Sequence, residues 1–379
     1  MISLITKPSL LLLIVLLFVP NNSVQAAYNK DYFGETVIHE AAFEDTLIHL
    51  ARNNGLGFVE LRAANPTLDP WIPGKNAKII LPKRHILPDA PRKGLVINLA
   101  EMRVYYFKNK GQEPLTYPIS IGREGLQTPV GTTSIVRKKD GPTWRPTARM
   151  REEDPTLPQS VPPGPDNPLG THALYLGWPQ YLMHGTNKPY GIGRRVSSGC
   201  MRMYPEDIKK LFPLVPVGTP VNVVDQPVKV GWIGEDYYIE VSPSQDQAKA
   251  IEEDGVLNTY EITKADIALI NRKAGAKKDM IDWEKVRQAV KNHSGYPVAI
   301  IGGHTSGFKN QVNPSNEYSL LGNKKEEVAD KAEVKEVSAP EMNTEPSTPT
   351  SNERVNVYPS GQNTKMKLSN IKLRSAVNE

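Results

Sequence analysis

The sequence predicts a mainly β central domain, a β-sandwich or partly closed barrel, with a small α+β domain before it and a small α/β domain after it. The first observation is a series of short β-prone runs punctuated by Gly and Pro over residues 94–225. The second is that helical and strand patterns are mixed in the two flanking segments, 35–82 and 230–300. The third is that apolar periodicity is lost beyond residue 303.

The segment 35–82 has the order strand, helices, strand. Its β-prone runs are 36–39 and 78–81, and the aliphatic side chains of 45–52 share one helical face. Asp45 stands at the start of this helical pattern, and Asp is a residue type that caps helices. We therefore predict a small α+β unit whose first helix is capped by Asp45.

The central segment 94–225 is rich in short runs of β-branched and aromatic residues. The first two runs, 95–99 and 102–107, are joined by a tight connection at Ala100 and Glu101. Further β-prone runs lie at 115–121, 131–137, 173–176 and 221–224. Many short strands of this kind indicate a sandwich or a barrel.

The segment 230–300 returns to a mixed α/β pattern. Residues 237–241 have the pattern of a strand, and 263–274 and 282–292 have the pattern of helices that begin at Thr and Asp caps.

The boundaries between these segments follow from composition. The proline-rich stretch 82–91 predicts an extended linker, because each proline disfavours helix at the preceding residue. From about Gly302 the chain loses apolar periodicity, and the stretch 324–351 mixes Lys and Glu with Ser, Thr and Pro, a composition too poor in apolar surface to offset the entropy of ordering. We predict that 303–379 is a disordered tail.

The first 26 residues have the features of a signal peptide. Lys7 precedes an apolar run over 10–19, Pro20 follows it, and Val24-Gln25-Ala26 fits a cleavage site. The alternative is an uncleaved membrane anchor, but the run is shorter than the ~20 residues that a bilayer span needs. We predict cleavage, export to an oxidising compartment and no stable membrane span in the mature protein.

The charge balance is mildly basic, with 46 Lys and Arg against 41 Asp and Glu and a formal net charge of +5. No basic stripe is interleaved with aromatic residues, so we expect no nucleic-acid partner. The histidines have no Cys or acidic partner at metal-ligand spacing, and no Gly-rich phosphate loop joins a strand to a helix. We therefore expect neither a metal nor a cofactor.

Cys200 is the single cysteine of the chain, and an unpaired thiol in an exported protein is a candidate reactive group. His184, sixteen residues upstream, is a candidate base, Arg202 adds positive charge, and a helical pattern begins at Pro205. Such neighbours lower a thiol pKa from ~8.5. Gly199 permits a tight turn whose amides face a developing oxyanion. The alternative is that Cys200 is a small buried hydrophobic residue.

The surroundings of this pair resemble the L,D-transpeptidases, cysteine enzymes of bacterial cell-wall assembly. A polar stretch, 188–195, separates the two residues, and we predict a flexible loop there rather than a core element. The resemblance covers 94–225 and rests on four motifs: Ile119-Ser120-Ile121-Gly122-Arg123, Thr128-Pro129-Val130-Gly131-Thr132, His184-Gly185-Thr186 and Ser197-Ser198-Gly199-Cys200-Met201-Arg202-Met203. Many family members carry His immediately before the Gly-Cys pair, where this chain has Ser198.

The resemblance implies ping-pong acyl transfer on peptidoglycan in the periplasm. His184 takes the thiol proton, and Cys200 attacks the carbonyl of the L-centre of diaminopimelate in a tetrapeptide stem, with loss of the terminal D-Ala. Family members typically hold the other imidazole nitrogen by a backbone carbonyl, and we count Gly185, next to His184, among the supporting residues. Ser197 and Ser198 are candidates for hydrogen bonds within the site.

The acceptor and two rival functions stay open. The acceptor is another stem, giving a 3–3 crosslink, or a lysine side chain of an envelope lipoprotein. One rival is an L,D-carboxypeptidase, in which water resolves the thioester, and the other is a non-catalytic peptidoglycan-binding protein. The resemblance also implies that carbapenems acylate Cys200, because a β-lactam carbonyl mimics the acyl donor.

The segment 35–82 also resembles a LysM module, a small binder of peptidoglycan glycan. The supporting motifs are Asp45-Thr46-Leu47, Asn65-Pro66, Pro73-Gly74 and Ile79-Ile80-Leu81-Pro82. Glu44 stands where the family usually has Gly before Asp45. The alternative is a packing domain that binds no ligand.

Overall fold

The structure, a computed structural model, describes residues 28–108, 111–253 and 261–303, which belong to one compact unit. The predicted signal peptide, and the predicted tail from residue 304 onwards, lie outside the described residues. Within these three ranges no helix is long and apolar enough to cross a membrane.

The first segment folds as two short helices flanked by paired strands. Its elements are β1 (Tyr32–Phe33), β2 (Val37–Glu40), α1 (Leu47–Asn53), α2 (Phe58–Ala64), β3 (Lys78–Leu81) and β4 (His85–Ile86). β2 pairs with β3 and β1 with β4, both antiparallel. Thr46, not Asp45 as predicted, caps α1, because its hydroxyl accepts from the His49 amide. The Asp45 carboxylate instead accepts from the Ala42 amide and lies 2.8 Å from His39 Nε2.

Nine strands and two α-helices form the central domain. They are β5 (Gly94–Asn98), β6 (Arg103–Phe107), β7 (Leu115–Gly122), β8 (Gly131–Asp140), α3 (Ala148–Glu153), β9 (His172–Leu176), β10 (Leu182–His184), β11 (Arg195–Ser197), β12 (Met201–Met203), α4 (Pro205–Leu211) and β13 (Pro220–Val224). Short 3₁₀ turns span Pro189–Gly191 and Phe212–Leu214. The prediction of a mainly β domain is confirmed.

The long strand β7 closes the sheet on itself. Its first half pairs with β6, and its second half pairs with β12 and β11. Following the pairing through β12, β10, β9, β8, β13, β5 and β6 returns to β7, so the ring is a closed barrel with β11 attached at β7. Of the two predicted architectures, the structure adopts the barrel, and its closure leaves the ring without free strand edges.

The barrel interior is filled by aliphatic side chains and methionines. Met183 of β10 and Met201 and Met203 of β12 are fully buried in this core. Because side chains alternate across a strand, their neighbours on β10 and β12 face the opposite side of the sheet. That outer face carries the residues singled out by the sequence.

The last segment is a three-stranded antiparallel sheet covered by helices. Its elements are β14 (Val228–Ile233), β15 (Asp236–Val241), α5 (Gln245–Glu253), α6 (Lys264–Ala274), α7 (Trp283–Asn292) and β16 (Val298–Ile301). The hydroxyl of Thr263 and the carboxylate of Asp282 cap α6 and α7, as predicted. Ile270, Val286 and Val290 pack the helices on the sheet.

The three segments share buried surfaces. Ile48, Phe58 and Val59 of the first segment join the barrel core, as does Ile251 of α5. The prediction of an extended linker at 82–91 is wrong in part, because His85, Ile86 and Leu87 are buried and form β4 with its flank.

Six ionisable side chains meet where the segments join, and we call them the junction cluster. Their relative exposure is at most 9%. The members are Glu60 of α2, His85 of β4, Glu101 and Arg103 at β6, Lys229 of β14 and Glu240 of β15. Arg103 Nη2 lies 2.6 Å from Glu60 Oε2, and Lys229 Nζ lies 2.7 Å from Glu101 Oε2 and 2.8 Å from Glu240 Oε1. Ion pairs therefore hold the first, central and last segments together.

Candidate active site

Two neighbouring parallel strands bring His184 and Cys200 to one face of the barrel. β10 and β12 pair in parallel, with Met183 opposite Met201 and His184 opposite Arg202. Cys200 lies two residues before Arg202, so both point to the side of the sheet that His184 occupies. Neighbouring strands are separated by ~4.8 Å, so the three side chains lie close together, and we call the space in front of them the cleft.

His184 is buried, and a backbone carbonyl fixes its tautomer. Nδ1 lies 2.6 Å from the Gly185 carbonyl oxygen, which can only accept, so we assign the hydrogen of the neutral ring to Nδ1 and the lone pair to Nε2; the Leu169 backbone is a second hydrogen-bond partner of the ring. Burial, and then the nearby Arg202 charge, lower the pKa of His184 to about 3. The imidazole is therefore neutral at pH 7 and able to accept a proton at Nε2.

Cys200 sits in a turn held by hydroxyl groups. The Ser197 hydroxyl accepts from the Gly199 amide at 3.2 Å and donates to the Cys200 carbonyl. The Thr128 hydroxyl donates to the Gly199 carbonyl at 2.8 Å and accepts from the Gly122 amide at 3.2 Å. These bonds tie the turn to the end of β7 and fix the direction of the thiol.

Only glycine fits at position 199. Its φ is +107°, which side chains rarely adopt, and an added Cβ would lie 3.0 Å from Tyr181 Cε1. The predicted oxyanion role of the Gly199 amide is wrong, since that amide already donates to Ser197. Of the two amides considered, Cys200 is the remaining candidate.

The Cys200 thiol is partly exposed and donates to the Gln180 carbonyl at 3.3 Å. Burial raises the pKa of the thiol, while a hydrogen bond from the Leu182 backbone and the Arg202 charge act in the opposite direction. The sequence argument expected a lowered pKa, and desolvation reverses that expectation. The resting pair is a neutral thiol and a neutral imidazole, so the thiolate forms by proton transfer to His184.

The structure supports a role in the site for three of the other predicted residues. Arg202 faces the cleft beside His184 and Cys200. Gly185 supplies the carbonyl that holds the imidazole, and Ser197 holds the turn. Ser198 is partly exposed and makes no hydrogen bond within the part of the chain that the structure describes.

The second half of the stretch 188–195 is packed, contrary to the prediction of a flexible loop, while Lys188 and Tyr190 in its first half are exposed. Ile192 is 1% exposed, and its carbonyl accepts from the Phe58 amide at 3.3 Å. The Gly193 carbonyl accepts from the Val59 amide at 3.2 Å. An added Cβ at Gly193 would lie 2.3 Å from Gly57 Cα, so the first turn of α2 presses directly on this loop. The first segment therefore packs directly on the stretch of chain that joins His184 to Cys200.

Sequence reasoning missed two contributors. The sequence analysis included Thr128 in a motif but assigned it no role. Its hydroxyl holds the turn at Gly199 by donating to the Gly199 carbonyl. Gln180 could not be identified from the sequence, because it contributes its backbone carbonyl, which accepts from the Cys200 thiol. The φ of Gln180 is +70°.

One group of side chains within the described ranges has the spacing of a metal site. His85, Glu101 and Glu240 offer atoms that lie within 4.8 Å of one another. Lys229 already pairs with both carboxylates, so the positive charge that a metal would supply is present. We interpret this group as part of the junction cluster.

Comparisons with known proteins agree with this geometry. A family model for the YkuD L,D-transpeptidase catalytic domain matches residues 92–223. Probable L,D-transpeptidase YbiS of Escherichia coli K12 is 40% identical over 260 residues, covering 67% of this chain and 83% of that protein. Probable L,D-transpeptidase ErfK/SrfK of Salmonella typhimurium is 39% identical over 259 residues, covering 67% and 82%. The chain belongs to the L,D-transpeptidase family.

Solved structures of L,D-transpeptidases also resemble part of the chain. A crystal structure of an Enterococcus faecium L,D-transpeptidase covers 35% of this chain and 49% of that chain, with 21% identity and a TM-score of 0.29. Family membership makes the protein an acyltransferase, and the resemblance found in the motifs is confirmed for the catalytic domain.

Proposed function

We propose that Cys200 is the nucleophile and His184 the proton acceptor and donor in L,D-transpeptidation of peptidoglycan tetrapeptide stems. The observation that carries the proposal is the pairing of β10 with β12, which sets a neutral imidazole beside a partly exposed thiol. A thiol of raised pKa needs a base, and His184 Nε2 is an unprotonated base at neutral pH.

In the first half-reaction, the thiol proton moves to His184 Nε2 as Sγ attacks the carbonyl of the L-centre. The carbonyl oxygen becomes an oxyanion, for which the Cys200 amide is the candidate donor. The carbon–nitrogen bond to the terminal D-Ala then breaks, and Nε2 delivers the proton to the leaving nitrogen. A thioester on Cys200 and free D-Ala result.

In the second half-reaction, an acceptor amine enters the position that D-Ala left. His184 takes a proton from this amine as its nitrogen attacks the thioester carbonyl. Collapse of the intermediate breaks the carbon–sulfur bond, and Nε2 returns the proton to Sγ. An amide forms, either a 3–3 crosslink or a bond to a lysine of an envelope lipoprotein. Attack by water gives the carboxypeptidase reaction.

The experiment that tests this proposal measures the masses of the acyl-enzyme and of the released products. Purified protein lacking residues 1–26 is incubated with tetrapeptide muropeptides, with and without a lysine-bearing acceptor, and separately with a carbapenem. We expect D-Ala release, an acyl-enzyme mass and an acceptor product, and a loss on the order of 10⁴-fold or more in Cys200→Ala. Equal adducts on Cys200→Ala, or none on the wild type, would refute the assignment, and a product carrying only water would favour the carboxypeptidase.

We further propose that residues 35–82 form a LysM-like module that binds glycan strands. Two loops of this segment meet where the Leu47 amide donates to the Pro70 carbonyl at 2.9 Å. On these loops Phe43 is 82% exposed, Trp71 58% and Ile72 75%. Exposed aromatic and apolar side chains of this kind suit the faces of sugar rings.

A sedimentation assay with insoluble peptidoglycan tests the glycan proposal. We expect Trp71→Ala to weaken sedimentation of the inactive Cys200→Ala protein several-fold, since a partly exposed Trp side chain is an energetically large contact. Met280→Ala is the matched control, because Met280 is also exposed but lies in the last segment. Unchanged sedimentation of Trp71→Ala would favour a packing domain without ligand.

The proposed substrate requires export, and we propose a periplasmic location after cleavage of residues 1–26. The support is the signal-like pattern around the apolar run 10–19 and the use of a single cysteine, which avoids disulfide formation within the chain.

A further inference from the structure

Arg202 differs from five arginines of the catalytic domain that have acidic partners, and also from Arg137, Arg145 and Arg151, which have none within the described ranges but are exposed. Its stem is half-buried, yet its guanidinium makes no hydrogen bond and no ion pair among the residues that the structure describes. The neighbouring arginines are engaged by acidic groups: Arg103 by Glu60, Arg123 and Arg149 by Glu153, Arg194 by Glu252 and Arg195 by Asp246. A half-buried guanidinium without a counter-ion is costly and calls for an anionic partner.

The position of this guanidinium points to the scissile bond. Arg202 lies opposite His184 on the paired strand and two residues beyond Cys200, on the same face. Its charge acts on both groups: it contributes to the lowered pKa of His184 and offsets part of the rise that burial gives the pKa of Cys200. A ligand anion bound by Arg202 would therefore lie within a few atoms of the attacked carbonyl.

The leaving residue of a tetrapeptide stem carries such an anion. Its terminal carboxylate is separated from the scissile nitrogen by a single carbon atom. An arginine guanidinium binds a carboxylate through two parallel hydrogen bonds, which fix both position and orientation. Holding this carboxylate would orient the amide bond for attack by Sγ and for protonation by His184.

We propose that Arg202 binds the terminal α-carboxylate of the amino acid that leaves, and so selects donor stems in which the attacked bond is followed by one free residue. This inference rests on the proposed function, because it assigns Arg202 a part in the first half-reaction. Arg202 acts as a specificity-determining residue for the donor and has no role in proton transfer.

The test compares two donors that differ in one group. One is the tetrapeptide with a free terminal carboxylate, and the other is the same peptide with a terminal carboxamide. Release of D-Ala or D-Ala amide is followed for the wild type, Arg202→Gln, Arg202→Lys and Arg287→Gln. Arg287→Gln is the control, because it removes one positive charge from an exposed position on α7.

We expect the wild type and Arg287→Gln to prefer the carboxylate donor by about 100-fold in kcat/KM, the range of a charge-assisted hydrogen-bonded pair. Arg202→Gln should bring the two donors to near equality, and Arg202→Lys should lie between. The ratio of kcat/KM for the two donors cancels any change in thiol reactivity, because both donors react with the same Cys200.

The possible failures are distinguishable. If Arg202→Gln slows both donors equally and keeps the preference, or if the wild type has none, the carboxylate role is refuted and the transpeptidase assignment stands. If the wild type releases neither D-Ala nor its amide and forms no acyl-enzyme, the proposed function fails and this inference with it.

Discussion

Two histidines of this protein are buried to a similar degree and serve different ends. The pKa of His85 in the junction cluster and that of His184 in the cleft are both lowered to about 3, in each case mainly by burial. Burial and a shifted pKa alone therefore do not distinguish a structural site from a catalytic one. The distinction lies in what surrounds each imidazole.

Around His85 nearly every charge has a partner. Glu60 accepts from Arg103, and Glu101 and Glu240 both pair with Lys229. The charged groups come from all three segments, so the ion pairs join parts of the chain that are distant in sequence. Here the ionisable groups hold the architecture together.

Around His184 the hydrogen-bond partners are neutral backbone groups. They are the Gly185 carbonyl, 2.6 Å from Nδ1, and the Leu169 backbone, so no ionised side chain is paired with the imidazole within the described residues. Cys200 is partly exposed, and Arg202 has no counter-ion. The two sites therefore differ in how their charges are paired: the junction charges pair with one another, whereas Arg202 beside His184 and Cys200 has no ion-pair partner among the described residues, so a substrate anion can supply one.

The largest effect should come from removing one partner of the closed cluster. Lys229→Met leaves Glu101 and Glu240 buried without their shared cation, and we expect a loss of about 3–5 kcal/mol in the free energy of unfolding. Urea denaturation measures this loss. Lys285→Met is the matched control, because Lys285 pairs with Asp282 at the surface and should change stability by less than about 1 kcal/mol.

The activity of Lys229→Met tests whether the junction cluster affects stability without affecting the reactivity of Cys200. At a temperature where Lys229→Met remains folded, Cys200 should still be acylated by a carbapenem, since among the described residues no hydrogen bond or ion pair joins the junction cluster to His184, Cys200 or Arg202. An unchanged urea midpoint would mean that the cluster does not hold the segments together.

The sequence predicted the barrel better than the site geometry. The β-prone runs at 95–99, 102–107 and 221–224 became β5, β6 and β13, because β-branched and aromatic side chains fit a pleated, buried surface. The strands that carry the site, β10 and β12, are three residues long each, too short for a periodic pattern to identify.

Properties that depend on contacts between distant parts of the chain could not be predicted from the sequence. The motif identified Cys200 and His184, but the raised pKa of the thiol follows from burial, which depends on the closed barrel. Within 82–91, His85 is buried beside the carboxylates of Glu60 and Glu240, which are far away in the chain. Proline composition could not reveal those partners.

A smaller effect is expected in the pH dependence of activity and of stability, which distinguishes His184 from His85. Because the pKa of His184 is about 3, its Nε2 remains a base well below pH 6.5, and kcat/KM for acylation should show no decline near pH 6.5 on the acid side. A fall of activity centred near pH 6.5 would mean that the catalytic imidazole titrates normally.

The matched variant is His85→Gln, compared with the wild type in urea denaturation between pH 7 and pH 4. The folded-state pKa of His85, about 3, lies below its unfolded value of 6.5, so the unfolded chain binds an extra proton in between and acid opposes folding. Glu240, whose pKa is raised by burial, acts in the opposite direction in both proteins. Relative to His85→Gln, the wild type should therefore lose on the order of 1 kcal/mol of stability per pH unit below pH 6.5. The activity profile of His85→Gln should match that of the wild type, and a parallel pH dependence of stability in the two proteins would contradict a buried, neutral His85.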